Sequence, residues 1–239
     1  MGKNIASTKP PLGWTILAAL TAVALFADLW AIFFFAPVEQ QMGIVQKIFY
    51  FHVPSAYAMY VAFLISAVSS AIYLVKRKPG ADAWAVAGAE VGMIFCLAML
   101  ISGPLWARKA WGVWWTWDPR LTTTLLAGMI FAAYLALRSF GAAGEVEKRF
   151  AAGLAVLGIL DLPIIHYSVQ RWRGQHPTVI TNKGGGLHPD MTTTLLISLA
   201  TFTLLVILLL WTRARLENQR AAVAEVELEA AHRGLLEDA

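Results

Sequence analysis

Six stretches of this chain are each about 20 residues long and almost wholly apolar, near 12–36, 55–75, 83–105, 121–139, 150–169 and 191–211. That is the length a helix needs to cross a hydrocarbon core of about 30 Å. The expected fold class is therefore all-α, a polytopic membrane protein with six transmembrane helices over residues 1–211. Residues are 58% hydrophobic and 14% charged, which excludes the soluble class, where about a quarter are charged. The N-terminal apolar run is too long for the core of a signal peptide and no small-residue cleavage site follows it, so it is read as a retained first span. The single cysteine, Cys96, lies inside an apolar stretch. It excludes an internal disulfide, a CxxC redox pair and a CxxCH attachment site, and reads as a small buried hydrophobe.

The connections are of two kinds. The second and fourth are short and basic, KRKPGAD and RSFGAAGEVEKR, whereas the first, third and fifth (37–54, 106–120 and 170–190) hold aromatics, prolines and most of the histidines. Lys3, Lys9, Lys76, Arg77, Lys78, Arg138, Lys148, Arg149, Arg213, Arg215, Arg220 and Arg233 fall on one side of this layout. Lys47, Arg108, Lys109, Arg120, Arg171, Arg173 and Lys183 fall on the other. By the positive-inside rule the first set is cytoplasmic, both termini are inside, and the odd-numbered connections face outward. The net charge of +4 then belongs with membrane lipid and not with nucleic acid. Residues 212–239, rich in Ala, Glu, Leu and Arg, are expected to continue the last span as a cytoplasmic helical tail. The glycine run between Lys183 and Leu187 reads as a flexible outer loop.

The third connection carries WGVWWTWDPRLTTT, which packs Trp111, Trp114, Trp115 and Trp117 together just after Trp106. The run follows neither a 3.6 nor a 2.0 period, so it is not an ordinary buried face. It is either the aromatic belt of a headgroup layer or a belt that doubles as a platform for a flat apolar ligand. Asp118, directly before Pro119, fits a helix N-cap, and its carboxylate is also suited to orienting a ligand histidine. The segment DPRLTTTLL from Asp118 is echoed by HPDMTTTLL from His188. Both read as helix starts entered from the same side, and the echo favours a capping role for His188.

Of five histidines, His52 in KIFYFHVPSAY is expected at the outer surface where Pro54 marks the start of the second span, and His176 in RWRGQHPTVI lies in the last outer connection. His188 follows close enough to compete with His176. His166 in LPIIHYS is expected as a buried group bonded between helices or a partner behind a ligand, and Asp161 one turn earlier can pair with it. Imidazoles on separate outer loops above an indole-rich surface, with Arg108, Arg120 and Arg171 nearby, make the combination that haem uses. Imidazole binds the iron, indole stacks on the macrocycle and guanidinium meets the propionates.

At FHVPSA (51–56), WGVWWTWDPRLT (111–122) and LPIIHYSVQRWRGQHPT (162–178) the sequence resembles the WWD-domain membrane proteins of cytochrome c maturation, the CcmC/CcmF/CcsA haem-handling family, and among them the short haem-delivery members. The resemblance implies that His52 and His176 are the two axial ligands of haem b and that Trp114, Trp115, Trp117 and Asp118 form the tryptophan motif, flanked by Trp111 and Arg120. It implies presentation of haem at the periplasmic face of a bacterial inner membrane and transfer to the haem chaperone CcmE. The implied partners are the ABC-type transporter subunits CcmA and CcmB and the small membrane subunit CcmD, with no bond-making by this chain. Two other readings stand beside it. A b-type cytochrome needs histidines deep in the spans, where only His166 could serve, and a structural subunit would use its tryptophans as belt alone. An enzyme is disfavoured, since neither a metal-ligand spacing nor a Ser/His/Asp constellation stands out.

Overall fold

A computed structural model describes residues 9–139, 144–172, 174, 176 and 186–235. Lys3, Arg173, Lys183 and the glycines at 184 and 185 lie outside the described residues. The chain forms α1 (Leu12–Trp30), α2 (Phe49–Lys76), α3 (Pro79–Trp111), α4 (Pro119–Ser139), α5 (Glu145–Gly158), α6 (Asp161–Trp172) and α7 (Pro189–His232). Among the described residues six helical segments are long and apolar enough to cross a membrane, with α5 and α6 together making the fifth.

The core is the α2–α3 pair. Gly88 and Gly92 on α3 form a small-xxx-small face that lets the two backbones approach closely. A Cβ on Gly88 would lie 2.7 Å from the Ala62 carbonyl oxygen and from the Ser66 nitrogen, while the Ser66 hydroxyl donates to the Ala85 carbonyl at 2.8 Å. Gly92 faces the Phe63 ring, which stacks on Phe131 of α4 with centroids 3.7 Å apart. Several polar groups inside the spans are matched between helices, as a bilayer favours. Ser198 of α7 donates to Asp28 of α1 at 2.6 Å, Arg138 of α4 pairs with Asp82 of α3 at 2.7 Å, and Arg213 of α7 pairs with Glu90 of α3. The last helix, α7, runs unbroken from the expected span into the tail as far as His232.

Three boundaries differ from the sequence expectation. The second helix begins at Phe49, not near 55, because Phe49 and Tyr50 are buried; Pro54 falls inside it, in the second turn, where the Tyr50 carbonyl forgoes its usual donor. The third continues to Trp111 and stops where Gly112 adopts φ +78°, the left-handed conformation that ends helices. The fifth breaks at Ile159–Leu160, since Pro163 can neither donate to the Ile159 carbonyl nor tolerate it in a continuous helix.

The end of α1 relaxes into a π turn, Ala31–Phe35. Its closing bond runs from the Ala36 N–H to the Ala31 carbonyl at 2.8 Å, which deprives the Ile32 carbonyl of its usual donor. The buried Lys47, on a 3-10 turn at Ile44–Ile48, supplies one instead, its Nζ donating to Ile32 at 2.6 Å and to Ala36 at 2.5 Å. Lys47→Met should therefore lower stability by about 1–3 kcal/mol, the usual cost of stranding buried carbonyls. A thermal midpoint of the purified protein that does not fall would disprove this clamp.

Candidate functional site

At the end of the bundle that bears the tryptophans, α2, α3, α4 and α6 splay around a cavity of about 750 Å³. This lies within the roughly 300–1,000 Å³ usual for cofactor and small-molecule sites. His52, in the first turns of α2, lines it, and so does His176 from the segment after α6. Their ring centroids are 6.3 Å apart and the planes differ by 29°. Gly103 on α3 leaves room for the first ring, because a Cβ there would sit 3.2 Å from His52 Cε1.

Behind each imidazole is a hydrogen-bond partner. His52 Nδ1 is 2.9 Å from Ser102 Oγ, and that hydroxyl donates to the Met99 carbonyl at 3.3 Å. His176 Nδ1 is 3.3 Å from an amino group of Arg120. Arg120 is itself held against α6, where it donates to the Ile165 carbonyl at 3.4 Å and to the His166 carbonyl at 3.0 Å.

The tryptophans divide into two groups. Trp106 and Trp111, both near the end of α3, pack edge to face at 5.7 Å and line the cavity together with Trp115. The indole nitrogen of Trp115 is buried without a hydrogen-bond partner, and Trp106 donates to Gln46 at 3.4 Å. Trp114 and Trp117 are instead exposed, at 56% and 76%. Arg108 lies 6.0 Å from the ring centre of Trp114 and also donates to the Gly112 carbonyl. These two tryptophans thus continue the cavity's apolar lip outward.

Asp118 caps α4 as its position before Pro119 implied, accepting from the Arg120 N–H at 2.9 Å. It is 94% buried, and its carboxylate abuts Gly174 so closely that any Cβ there would collide with it. The tryptophan loop and the segment carrying His176 are therefore in direct contact. His188 caps α7 by accepting from the Asp190 N–H at 3.3 Å, and it is not part of the cavity lining.

Two expectations are corrected. His166 is exposed and lines the cavity rather than being buried between helices. On α6 the buried stripe is Asp161, Leu162, Ile165 and Ser168, and at helical spacing His166 falls beside it. For the same reason Asp161 does not pair with His166, and Asp161 Oδ2 is buried without a partner. Arg171 is exposed at the end of α6 and, like Arg108, is not part of the lining. Sequence reasoning passed over Ser102, Tyr60 and Gln46, which carry no motif.

No group of three or more His, Cys, Asp or Glu suited to a metal occurs among the described residues. Two imidazoles on opposite sides of one metal ion have ring centres about 6.4 Å apart, since the bond to nitrogen is about 2.0–2.1 Å and the ring centre about 1.1 Å further on. The observed 6.3 Å is close to that span, at a cavity walled by indoles.

The profile of the family described as heme exporter protein C matches residues 6–229. The chain is 35% identical to the heme exporter protein C of Bradyrhizobium diazoefficiens over 234 residues, 96% of this chain and 87% of that protein. It is 33% identical to the Escherichia coli K12 protein of that name over 225 residues, 91% of each chain. Against the Rhodobacter capsulatus protein of that name it is 31% identical over 219 residues, 90% of each.

Proposed function

This chain belongs to the heme exporter protein C family, and on that premise we propose that it holds haem b at the periplasmic face of the bacterial inner membrane, between His52 and His176, and passes it to the haem chaperone CcmE during cytochrome c maturation. The observation that carries this reading is the facing pair of imidazoles, 6.3 Å apart, at a cavity walled by Trp106, Trp111 and Trp115. Bound haem supplies the iron that the two imidazoles grip, and the chain does the rest. The indoles would cover the macrocycle and exclude water, the Arg120 guanidinium supplies positive charge at the cavity wall for the carboxylates, and Asp118 holds the two loops together.

The exposed Trp114 and Trp117 form the edge toward which a partner approaches, so haem remains reachable while both ligands are engaged. Both termini and the tail beyond residue 211 are cytoplasmic in this reading, and CcmA, CcmB and CcmD are the companion subunits. The chain presents and transfers haem without forming a covalent bond, and is accordingly not an enzyme.

The test is an absorption spectrum of the detergent-purified protein, oxidised and reduced, before and after adding haem. A six-coordinate, low-spin, bis-histidine spectrum is expected. A protein that stays colourless with haem added would leave the tryptophans as membrane belt and refute the proposal.

A further inference from the structure

The two facing imidazoles are not equivalent, and the difference follows from their partners. The Ser102 hydroxyl lies between His52 Nδ1 and the Met99 carbonyl, 2.9 and 3.3 Å away. It has one proton to give; donating that proton to the carbonyl, its oxygen accepts from His52, which puts the proton of that ring on Nδ1 and leaves Nε2 with an open lone pair. An arginine guanidinium has donors and no acceptor. With Arg120 donating to His176 Nδ1, the neutral His176 ring carries its proton on Nε2, the nitrogen a metal would need. Arg120 is kept in that posture by two backbone carbonyls of α6.

We propose that Ser102 and Arg120 are positioning residues that hold the two imidazoles in opposite tautomers, making His52 the standing ligand and His176 the conditional, releasable one. The inference rests on the haem reading of the site and adds an order to it. His52 engages iron as it stands. For His176 to follow, Arg120 withdraws from Nδ1, water delivers a proton to Nδ1 and takes one from Nε2, and the Nδ1–H is left to donate a hydrogen bond. The ring stays neutral and no proton is lost. Release runs in reverse, with Arg120 returning to Nδ1 as His176 lets go. A ligand that is easily withdrawn on one side suits a protein that must surrender its cargo, since symmetrical strong ligation would retain it.

Two measurements test this on the full-length protein in detergent. The first is nitrogen-15 NMR of histidine-labelled, haem-free protein at mildly alkaline pH, in a background where His166, His188 and His232 are glutamine. It should show one Nδ1–H ring, lost in His52→Gln, and one Nε2–H ring, lost in His176→Gln. Ser102→Ala should convert the former toward Nε2–H, and Ser102→Thr should restore it. The second is rapid mixing with haem, in which five-coordinate binding by His52 should precede six-coordinate closure by His176. Arg120→Met should speed the closing phase about tenfold or more, the scale of a lost hydrogen bond to a ligand. An Nδ1–H ring at His176 in the haem-free protein, or a closing phase that Arg120→Met leaves unchanged, overturns the proposal. Tautomers as stated in a protein that takes up no haem overturn the ordered loading and the haem reading while leaving the roles of Ser102 and Arg120 toward the rings intact.

Discussion

Protein in which His52 and His176 are both alanine is expected to purify folded and without haem. The two rings line one cavity with their centres 6.3 Å apart. What remains in the double variant is stacking on Trp106, Trp111 and Trp115, worth about 1 kcal/mol per contact, against the several kcal/mol that axial ligation adds. Loss of even the groups behind a ligand costs 10- to 100-fold, so loss of both ligands should lower haem affinity by more than about 1,000-fold. The single variants should differ in kind. His176→Ala keeps the ready ligand and should retain a five-coordinate haem, which added imidazole converts back to six-coordinate. His52→Ala removes the ready ligand and should be the emptier of the two. Occupancy equal to wild type in the double variant would show that the ligands lie elsewhere, and His166, which shares the cavity, would become the first alternative.

The largest effect on stability is expected on α3, far from the cavity. In an exposed helix, replacing glycine by alanine gains up to about 1 kcal/mol. At Gly88 the sign should reverse, because the new Cβ would meet backbone atoms of α2 at Ala62 and Ser66, and backbone cannot rotate out of the way. At Gly92 it meets the Phe63 ring, which is fixed in its stack on Phe131. Overpacking of this kind costs about 1–3 kcal/mol and occasionally more. Gly88→Ala and Gly92→Ala should each lower the thermal midpoint, and the pair together should prevent accumulation of folded protein. Gly153→Ala on α5, where nothing lies within 4 Å of the new carbon, serves as the control. A Gly88→Ala protein as stable as this control would mean that α2 and α3 do not approach as closely as described.

Much of this architecture was legible in the residues. Apolar runs of spanning length are a one-dimensional property, so the six crossings follow from the chain alone, and the caps at Asp118 and His188 are local chemistry read directly from the residues around them. Boundaries were read less well wherever tertiary burial extended a helix beyond its apolar run, as Phe49 and Tyr50 do for α2. The interior break before Asp161 was readable in principle from Pro163, but its consequence for His166 was not, since a change in helix phase shows only when the neighbouring helices are in place.

By itself, the sequence determined the class of fold and the concentration of indoles near one end of the spans, and by resemblance singled out His52 and His176 as candidates, because these depend on composition, length and motif. Only the tertiary structure decided which tryptophans wall the cavity and which stay outside, that Asp118 abuts Gly174, and that Ser102 and Arg120 stand behind the two imidazoles. Those facts join residues 50 or more positions apart, Ser102 to His52 and Arg120 to His176. Separations of that size are bridged by helix packing, and the direction in which a packed side chain donates or accepts has no counterpart in the linear order of the chain.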